Sequence, residues 1–396
     1  MEIIVPKLSE KLSKMWTKII NLENSLFPEL KEQLGVLSSK EQKLIKILDF
    51  AQIENNITVV KITNTPKDRE EMARSFIAKS VYNMQTTRDL IDRLKIDRTL
   101  RVLCGWRYAK DIPSESKFSR VFDELSQLRI AQKTHEEFIK EYLSDTLFMY
   151  NASDATAIPL REKPVKKEKV EPKVKRKRGR PKKGEKVEPK TPTILQQQQE
   201  MNSTKEMCAL LSTECSVGIK KNAKGYKETW RGGKLHISAV DGDIPVTAIY
   251  TGASVHDSSV ALPLIKETSR KVDYFYDLQD AGYDADIIRE YSKLHGHRPI
   301  IDINPKNSKA LKEKIALVKE EKEKFKFFNL PLSSDIHHYN QRSMVERVNK
   351  YIKDDFGCQS IYYQGATKVI SIYTIQKSIP KNPLSSFFIE MSFSIS

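Results

Sequence analysis

The order of hydrophobic and polar residues divides the chain into a helical part and a part in which strands and helices alternate. Before residue 145, apolar residues recur every three to four positions, which predicts an all-α N-terminal domain over residues 1–145. The amphipathic stretches lie near 8–33, 40–54, 67–95 and 114–142.

Residues 87–122 of this domain are compatible with two structural interpretations. Residues 113–122 combine a helix start with apolar residues at helical spacing. Together with the helical stretch 87–103, they predict either a helix-turn-helix or an ordinary pair of packed helices. In the first case Ser116, Lys117 and Arg120 would lie near DNA; in the second they would be surface residues.

Beyond residue 145 the pattern changes to short β-type runs separated by helices. The predicted elements are strands 147–158, 234–240 and 245–250, helix 258–271, strand 273–279, helix 284–294 and strand 298–303. The turn 241–243 joins two of the strands as a hairpin. This order predicts an α/β domain, a mixed sheet with flanking helices, over residues 146–160 and 201–370.

A charged stripe marks the last helix predicted for this domain. At about 100° per residue, an arc of roughly 80° holds Tyr339, Arg342, Glu346, Lys350 and Lys353. The opposite side holds Met344, Val345, Val348, Tyr351 and Ile352. The segment therefore predicts an amphipathic helix docked on a core. Taken alone, the stripe is explained by a solvated face with ion pairs.

Two further carboxylates are predicted near this helix. Asp154 lies on the first strand of the sheet, and Asp280 follows strand 273–279. Adjacent strands are about 4.8 Å apart, so acids on neighbouring strands can share a cation, and Glu346 on a helix can add a third ligand. Oxygen ligands suit Mg²⁺ or Mn²⁺, and two such ions roughly 3.5–4 Å apart would support phosphoryl transfer.

Asp241 is a rival for the first acid. It lies in an Asp-Gly hairpin turn, which already explains an aspartate at that position. Asp154 lies within the strand that opens the sheet, and we prefer it.

Histidine and cysteine patterns add no zinc site. His337 and His338 are adjacent and would point to opposite sides of an extended segment. The four cysteines lack metal spacing and suit reduced structural thiols.

The positive charge of the chain is concentrated in one segment. Residues 161–190 hold 15 Lys and Arg against 5 Glu, or +10 of the chain's net charge of +16. With many prolines and few large apolar side chains, residues 161–200 predict a disordered basic insertion. Its Arg178-Gly179-Arg180-Pro181 core is similar to an AT-hook, which is narrow enough to enter an A·T minor groove. A basic linker that binds any phosphate backbone is the alternative.

Overall composition narrows the class of protein. The chain has 396 residues, of which 39% are hydrophobic and 30% are charged. This balance predicts an intracellular globular protein with a polyanionic partner, nucleic acid before membrane. Its apolar runs are too short for a membrane-spanning helix.

From Asp154 to about Lys368, the chain resembles prokaryotic insertion-sequence transposases of the DDE type, in the group with a Tyr-Arg-Glu-Lys signature. The signature spacing is met by Tyr339, Arg342, Glu346 and Lys353. Segments 154–156 and 280–284 match the motifs of the first two acids, and segments 234–236 and 251–257 match connecting motifs.

The resemblance implies a ribonuclease H-like catalytic domain. It implies Asp154, Asp280 and Glu346 as metal ligands, two Mg²⁺ or Mn²⁺ ions, and cleavage of transposon ends followed by attack of the freed 3′-hydroxyl on target DNA. Arg342 and Lys353 would bind phosphates and Tyr339 would lie near the scissile phosphate. It further implies a homo-oligomer on double-stranded DNA and a cytoplasmic, nucleoid-associated protein.

Two alternatives remain, together with one departure from the family. The same fold supports a metal-dependent nuclease without strand transfer, and a decayed copy would be a non-catalytic protein that binds AT-rich DNA. Residues 371–396 have little helical periodicity where the family continues with helix, which predicts a divergent C-terminal tail. This departure raises the question of whether this copy is active.

Overall fold

The computed structural model describes residues 36–58, 68–165, 191–221, 224–305, 308–327, 334–355 and 361–377. Between residues 36 and 145, the described elements are helices. They are α1 (Ser39–Ala51), α2 (Ile53–Thr58), α3 (Arg69–Val81), α4 (Thr87–Ile96), α5 (Arg98–Leu103), a 3₁₀ turn (Ala109–Asp111), α6 (Glu115–Gln127) and α7 (Ile130–Tyr142). Capping boxes begin two of them, at Ser38 with Glu41 and at Thr86 with Asp89.

The segment predicted as either a helix-turn-helix or packed helices forms α4, α5 and α6. Ser116 and Arg120 are exposed on α6, whereas the Lys117 ammonium lies 2.9 Å from the Asp68 carboxylate. Lys117 is therefore already paired, and it would have to leave Asp68 before it could contact DNA.

The remaining elements alternate between strand and helix. They are β1 (Leu147–Pro159), α8 (Ile194–Gln199), α9 (Thr204–Ala209), β2 (Ser216–Lys221), β3 (Lys227–Val240), β4 (Ile244–Gly252), α10 (Ala261–Lys271), β5 (Asp273–Gln279), α11 (Asp286–Leu294), β6 (Arg298–Ile301), α12 (Lys309–Phe327), α13 (Ser334–Asn340), α14 (Ser343–Asp354) and α15 (Ala366–Lys377). Short 3₁₀ turns cover Asp257–Val260 and Ala281–Tyr283.

The described strands form one mixed sheet in the order β2-β3-β1-β5-β6, with β4 also paired to β3. β3 runs antiparallel to β1, β2 and β4, whereas β1, β5 and β6 run parallel. The predicted hairpin between β3 and β4 is confirmed, and its turn uses positive φ angles at Gly242 (83°) and Asp243 (60°).

Alternation along the strands divides the polar residues between the two faces of the sheet. Asp154 pairs with Ile237 on one face, which α14 covers. Asn151 and Asp277 pair on the opposite face, where Ser292 of α11 meets them.

The N-terminal helices do not form a core of their own. One hydrophobic cluster joins their buried side chains to those of the sheet, α14 and α15; it includes Phe76, Phe118, Ile237, Val348 and Tyr373. The predicted boundary at residue 145 therefore separates two kinds of secondary structure within a shared core.

The C-terminal prediction was wrong between residues 371 and 377. Helix α15 crosses the predicted boundary, and Ile372 and Tyr373 are buried against the N-terminal helices. The apolar side chains 369, 372 and 373 face a core that local periodicity did not reveal. Residues 378–396 lie outside the described part of the chain.

Two other elements differ from prediction. The helix predicted from Tyr339 to Lys353 is two helices, because the chain turns at residues 341–342 between α13 and α14. Strand β2 and helix α12 were not predicted. The predicted disordered insertion 161–200 was wrong at its end, because residues 194–199 form helix α8, whose buried Gln198 side chain donates to the carbonyls of Met207 and Ser259. Within the described ranges, no helix is long and apolar enough to cross a membrane.

Candidate active site

Asp154 is held in the middle of β1, between β3 and β5. Its carboxylate Oδ2 accepts a hydrogen bond from Asn349 Nδ2 of α14 at 3.0 Å. Burial raises the pKa of Asp154 to about 6; Arg342 opposes this shift, while the negative charges of Asp280 and Glu346 add to it. These electrostatic interactions place the three predicted acids in one neighbourhood.

Asp280 lies directly after β5, at the carboxyl end of a strand parallel to β1. Its Oδ1 accepts the backbone N–H of Gly282 at 2.8 Å, which holds the turn 281–283. Burial raises the pKa of Asp280, and the nearby carboxylates of Asp257 and Asp302 add to that shift. The residue thus combines a structural hydrogen bond with a negatively charged environment.

Glu346 lies in the first turn of α14, and 55% of its side chain is exposed. Arg342 Nη2 donates to Glu346 Oε1 in an i,i+4 ion pair. Burial would lower the pKa of Arg342, but the surrounding acidic groups, among them Glu346, Asp154 and Asp280, raise it above its ordinary value. Arg342 is therefore the counter-ion of all three acids in this arrangement.

The acids share a neighbourhood but not a closed ligand shell. Among the described residues, no three His, Cys, Asp or Glu side chains converge closely enough to hold a metal ion. The donor chemistry fits a hard divalent cation, since the three side chains offer oxygen alone and their mutual repulsion helps to raise the pKa of Asp154. Glu346 is instead paired with Arg342.

Tyr339 and Lys353 lie on either side of Glu346 along the chain. The Tyr339 hydroxyl donates to Asp302 Oδ2 at 3.1 Å, and burial with the Asp302 charge raises the pKa of Tyr339. Asp302 follows β6, as Asp280 follows β5. Lys353 is half-buried in the last turn of α14. Of the signature residues, Tyr339 therefore lies on α13, Arg342 in the turn that follows it, and Glu346 and Lys353 on α14.

The two aspartates of the hairpin turn perform structural tasks. Asp241 Oδ2 accepts the backbone N–H groups of Met149 at 2.7 Å and Tyr150 at 3.1 Å, at the start of β1. Asp243 forms two hydrogen bonds with Arg347 of α14, at 2.8 and 2.6 Å. Asp241 is thus engaged with β1 backbone, which supports the preference for Asp154 as the first acid.

Sequence reasoning missed two contacts around the acids. Asn349, which holds Asp154, looked like an ordinary polar position, although its i+3 spacing from Glu346 was visible. His256 caps the turn 257–260, and Asp257 accepts from Lys234 Nζ at 2.9 Å. That pair lies beside His236. Burial lowers the pKa of His236 to about 4, so its imidazole is neutral at pH 7.

Comparison with known proteins agrees with this arrangement. Residues 152–370, more than half of the chain, match a family model described as a transposase DDE domain. Residues 29–124 match a second model, described as a transposase domain (DUF772). No curated protein matches the chain.

Among solved structures, the chain is similar to one described as a crystal structure of a pre-cleavage Mos1 transpososome. The two share 11% sequence identity over 89% of this chain and 99% of that chain, with a TM-score of 0.17. At that score, the likeness carries no argument about the fold.

The chain belongs to the DDE transposase family. It is an insertion-sequence DNA transposase, an enzyme of polynucleotidyl transfer, as the sequence predicted. The mixed sheet with flanking helices fits the ribonuclease H-like fold expected of such a protein. Members of this family depend on divalent metal ions and bind DNA. The basic core Arg178-Gly179-Arg180-Pro181 lies outside the described residues.

Proposed function

We propose that this transposase cleaves the ends of its element and joins the freed 3′-hydroxyl to target DNA, with Asp154, Asp280 and Glu346 as its catalytic acids. The observation that carries the proposal is the electrostatic coupling of these three carboxylates around one arginine, on the strands and helix where the sequence motifs fall. Two Mg²⁺ or Mn²⁺ ions held there would activate the attacking oxygen and stabilise the leaving oxygen.

Arg342 has a different partner before and after DNA binds in this proposal. Its guanidinium is paired with Glu346 in the structure. With metal ions held by the acids, the Arg342 guanidinium would be free to bind a backbone phosphate with two parallel hydrogen bonds. Lys353 adds a point charge to the same strand, and Tyr339, held by Asp302, borders the scissile phosphate. We further propose that the protein belongs to the Tyr-Arg-Glu-Lys group.

The basic insertion supplies affinity rather than chemistry in this proposal. Arg178, Gly179, Arg180 and Pro181 enter an A·T minor groove near the cut, because the insertion follows β1, which carries Asp154. Deleting residues 173–186 should weaken DNA binding and flatten its salt dependence while Mg²⁺-dependent cleavage persists. Loss of all activity together with binding would favour the non-catalytic alternative instead.

The wider organisation follows from the same proposal. The helices before residue 145 bind DNA, residues 146–160 and 201–370 carry out catalysis, and the protein acts as a homo-oligomer at the nucleoid. Cross-linking of the full chain on DNA that carries both element ends would test the oligomer.

A plasmid that carries the gene with its flanking genomic DNA supplies the element's ends for the decisive experiment. The purified full chain should nick that plasmid at the ends in Mg²⁺, and alanine at Asp154, Asp280 or Glu346 should abolish nicking while DNA binding remains. Activity in Asp154→Ala together with inactivity in Asp241→Ala would mean that the first acid is misassigned.

A pre-cut end with a free 3′-hydroxyl separates transposase from nuclease chemistry. The proposal predicts that this end is joined to unrelated target DNA. Hydrolysis of the ends without joined product would instead identify the metal-dependent nuclease.

A further inference from the structure

Asn349 is the residue of α14 whose side chain reaches from that helix to a catalytic acid on the sheet. It follows Glu346 by three positions, which places both residues on one side of the helix. Only 8% of Asn349 is exposed, and its Nδ2 donates to Asp154 Oδ2 at 3.0 Å. One helix therefore presents one acid and holds another.

The nitrogen and the oxygen of the Asn349 carboxamide differ in their hydrogen bonding. Its Nδ2 has a carboxylate acceptor, whereas its buried Oδ1 has no hydrogen-bond partner among the described residues. A buried acceptor without a partner is destabilising, and an apolar side chain of similar shape would avoid that cost. Among the described residues, the hydrogen bond to Asp154 is therefore the one that this carboxamide makes.

We propose that Asn349 is a positioning residue, which fixes the Asp154 carboxylate through Oδ2 so that Oδ1 faces the cation shared with Glu346. The inference rests on the proposed roles of Asp154 and Glu346. Hydrogen bonds to the carboxylates that bind a metal ion typically change metal affinity by about 10–100-fold. Loss of the Asn349 contact should therefore weaken binding of the metal, even without DNA.

The test is Mn²⁺ binding to the full chain without DNA. Binding is measured by calorimetry and by the rise in melting temperature that Mn²⁺ causes. Asn349→Leu keeps the approximate shape, fits a helix and removes both polar atoms. We expect it to fold with a metal-free melting temperature somewhat below that of the wild type, because Asp154 Oδ2 loses its donor, while its Mn²⁺ affinity falls by about 10-fold or more. Asn349→Ala should weaken Mn²⁺ binding to a similar degree, with an added loss of stability from the smaller side chain.

Tyr351→Phe is the matched control, because the Tyr351 hydroxyl donates to the backbone carbonyl of Asp243 at 3.4 Å and so links the same helix to the hairpin. It should retain wild-type Mn²⁺ affinity. Wild-type Mn²⁺ affinity in Asn349→Leu would overturn the inference, and so would failure of both Asn349 variants to fold, which would make the residue a structural one.

Asp154→Ala, measured in parallel, separates failure of the inference from failure of the proposed function. If Asp154→Ala loses Mn²⁺ binding while Asn349→Leu does not, the inference alone fails. If Asp154→Ala binds Mn²⁺ as the wild type does, the assigned metal ligands are wrong and the inference falls with them.

Discussion

The two faces of the central sheet each carry a buried aspartate with the same raised pKa, about 6, but with opposite surroundings. Asp277, on the face covered by α11, is fully buried and accepts from three neutral donors: Asn151 Nδ2 at 3.1 Å, Gln279 Nε2 at 3.2 Å and Ser292 Oγ at 2.9 Å. Asp154, on the other face, accepts one side-chain hydrogen bond, from Asn349, and is surrounded by charges.

A raised pKa alone does not distinguish the proposed catalytic acid Asp154 from Asp277. Burial causes the shift at both positions, and neutral hydrogen bonds offset part of it at Asp277. At Asp154 the offset comes chiefly from the charge of Arg342, while Asp280 and Glu346 add to the shift. The Asp277 carboxylate is occupied by three neutral donors, whereas the charge of Asp154 is balanced chiefly by Arg342, a role that a metal cation can also fill.

The largest expected difference between the faces is in catalysis. Asp154→Asn should lower Mg²⁺-dependent cleavage of the element's ends on the order of 10³-fold or more, because losing a metal ligand removes several kcal/mol of transition-state stabilisation. Asp277→Asn should leave the folded fraction with near-wild-type cleavage. Rates of plasmid nicking, normalised to folded protein, check both. Equal losses in the two variants would erase the proposed distinction.

The next effect concerns folding. Asp277→Ala removes the common acceptor of three buried donors, so we expect the free energy of unfolding to fall by roughly 3–4 kcal/mol. Urea denaturation of the metal-free protein measures it. A loss below about 1 kcal/mol would show that Asp277 does not organise its face of the sheet.

Substitution of Asp154, unlike that of Asp277, should stabilise the metal-free protein. With the folded pKa raised from 3.8 to about 6, the folded carboxyl retains a proton that the unfolded chain releases. Stability therefore falls as the pH rises through that window, and the penalty is complete above it. Asp154→Asn removes the penalty and should stabilise the metal-free protein at pH 7.5 by up to about 3 kcal/mol.

The stability gained in Asp154→Asn should shrink as the pH falls from 6 toward 4. Urea denaturation at several pH values would measure this change. Asp277→Asn provides the contrast, because it places an NH₂ group among donors and should lower stability at every pH. A gain for Asp154→Asn that is independent of pH would point to repacking instead of charge.

The smallest effect on stability and cleavage is expected at Asp241, the rival first acid. Burial also raises the pKa of Asp241 to about 6. Asp241→Ala leaves the amides of Met149 and Tyr150 without their acceptor, at a cost of about 1–2 kcal/mol. Cleavage should persist at temperatures where the variant is folded. Thermal melts paired with nicking assays check this, and loss of cleavage in well-folded Asp241→Ala would restore the rival assignment.

Much of the catalytic part could be predicted because its signals are local. The β-type runs around Asp154 and before Asp280 and the Asp-Gly hairpin each occur in the sequence as short patterns, and each formed as expected. The charged stripe of α14 also predicted its buried side correctly, with Val345 and Val348 in the core.

The features that were not predicted depend on tertiary contacts. Nothing near Asn349 in sequence shows that its carboxamide will meet a residue 195 positions away. The helix α15 has little amphipathic pattern of its own, since its sides contact both the N-terminal helices and the sheet. Ser216–Lys221 became a strand because β3 extends far enough to pair with it.

The position of α15 has a consequence for the order of events during synthesis. Its Val369, Ile372 and Tyr373 complete the core that the N-terminal helices and the sheet share. A ribosome must therefore deliver residue 373 before this core can close. Until then, the nascent chain carries the N-terminal helices and the sheet without the packing that holds them together. A stop codon ahead of α15 should accordingly yield a chain that is degraded rather than a smaller, working enzyme.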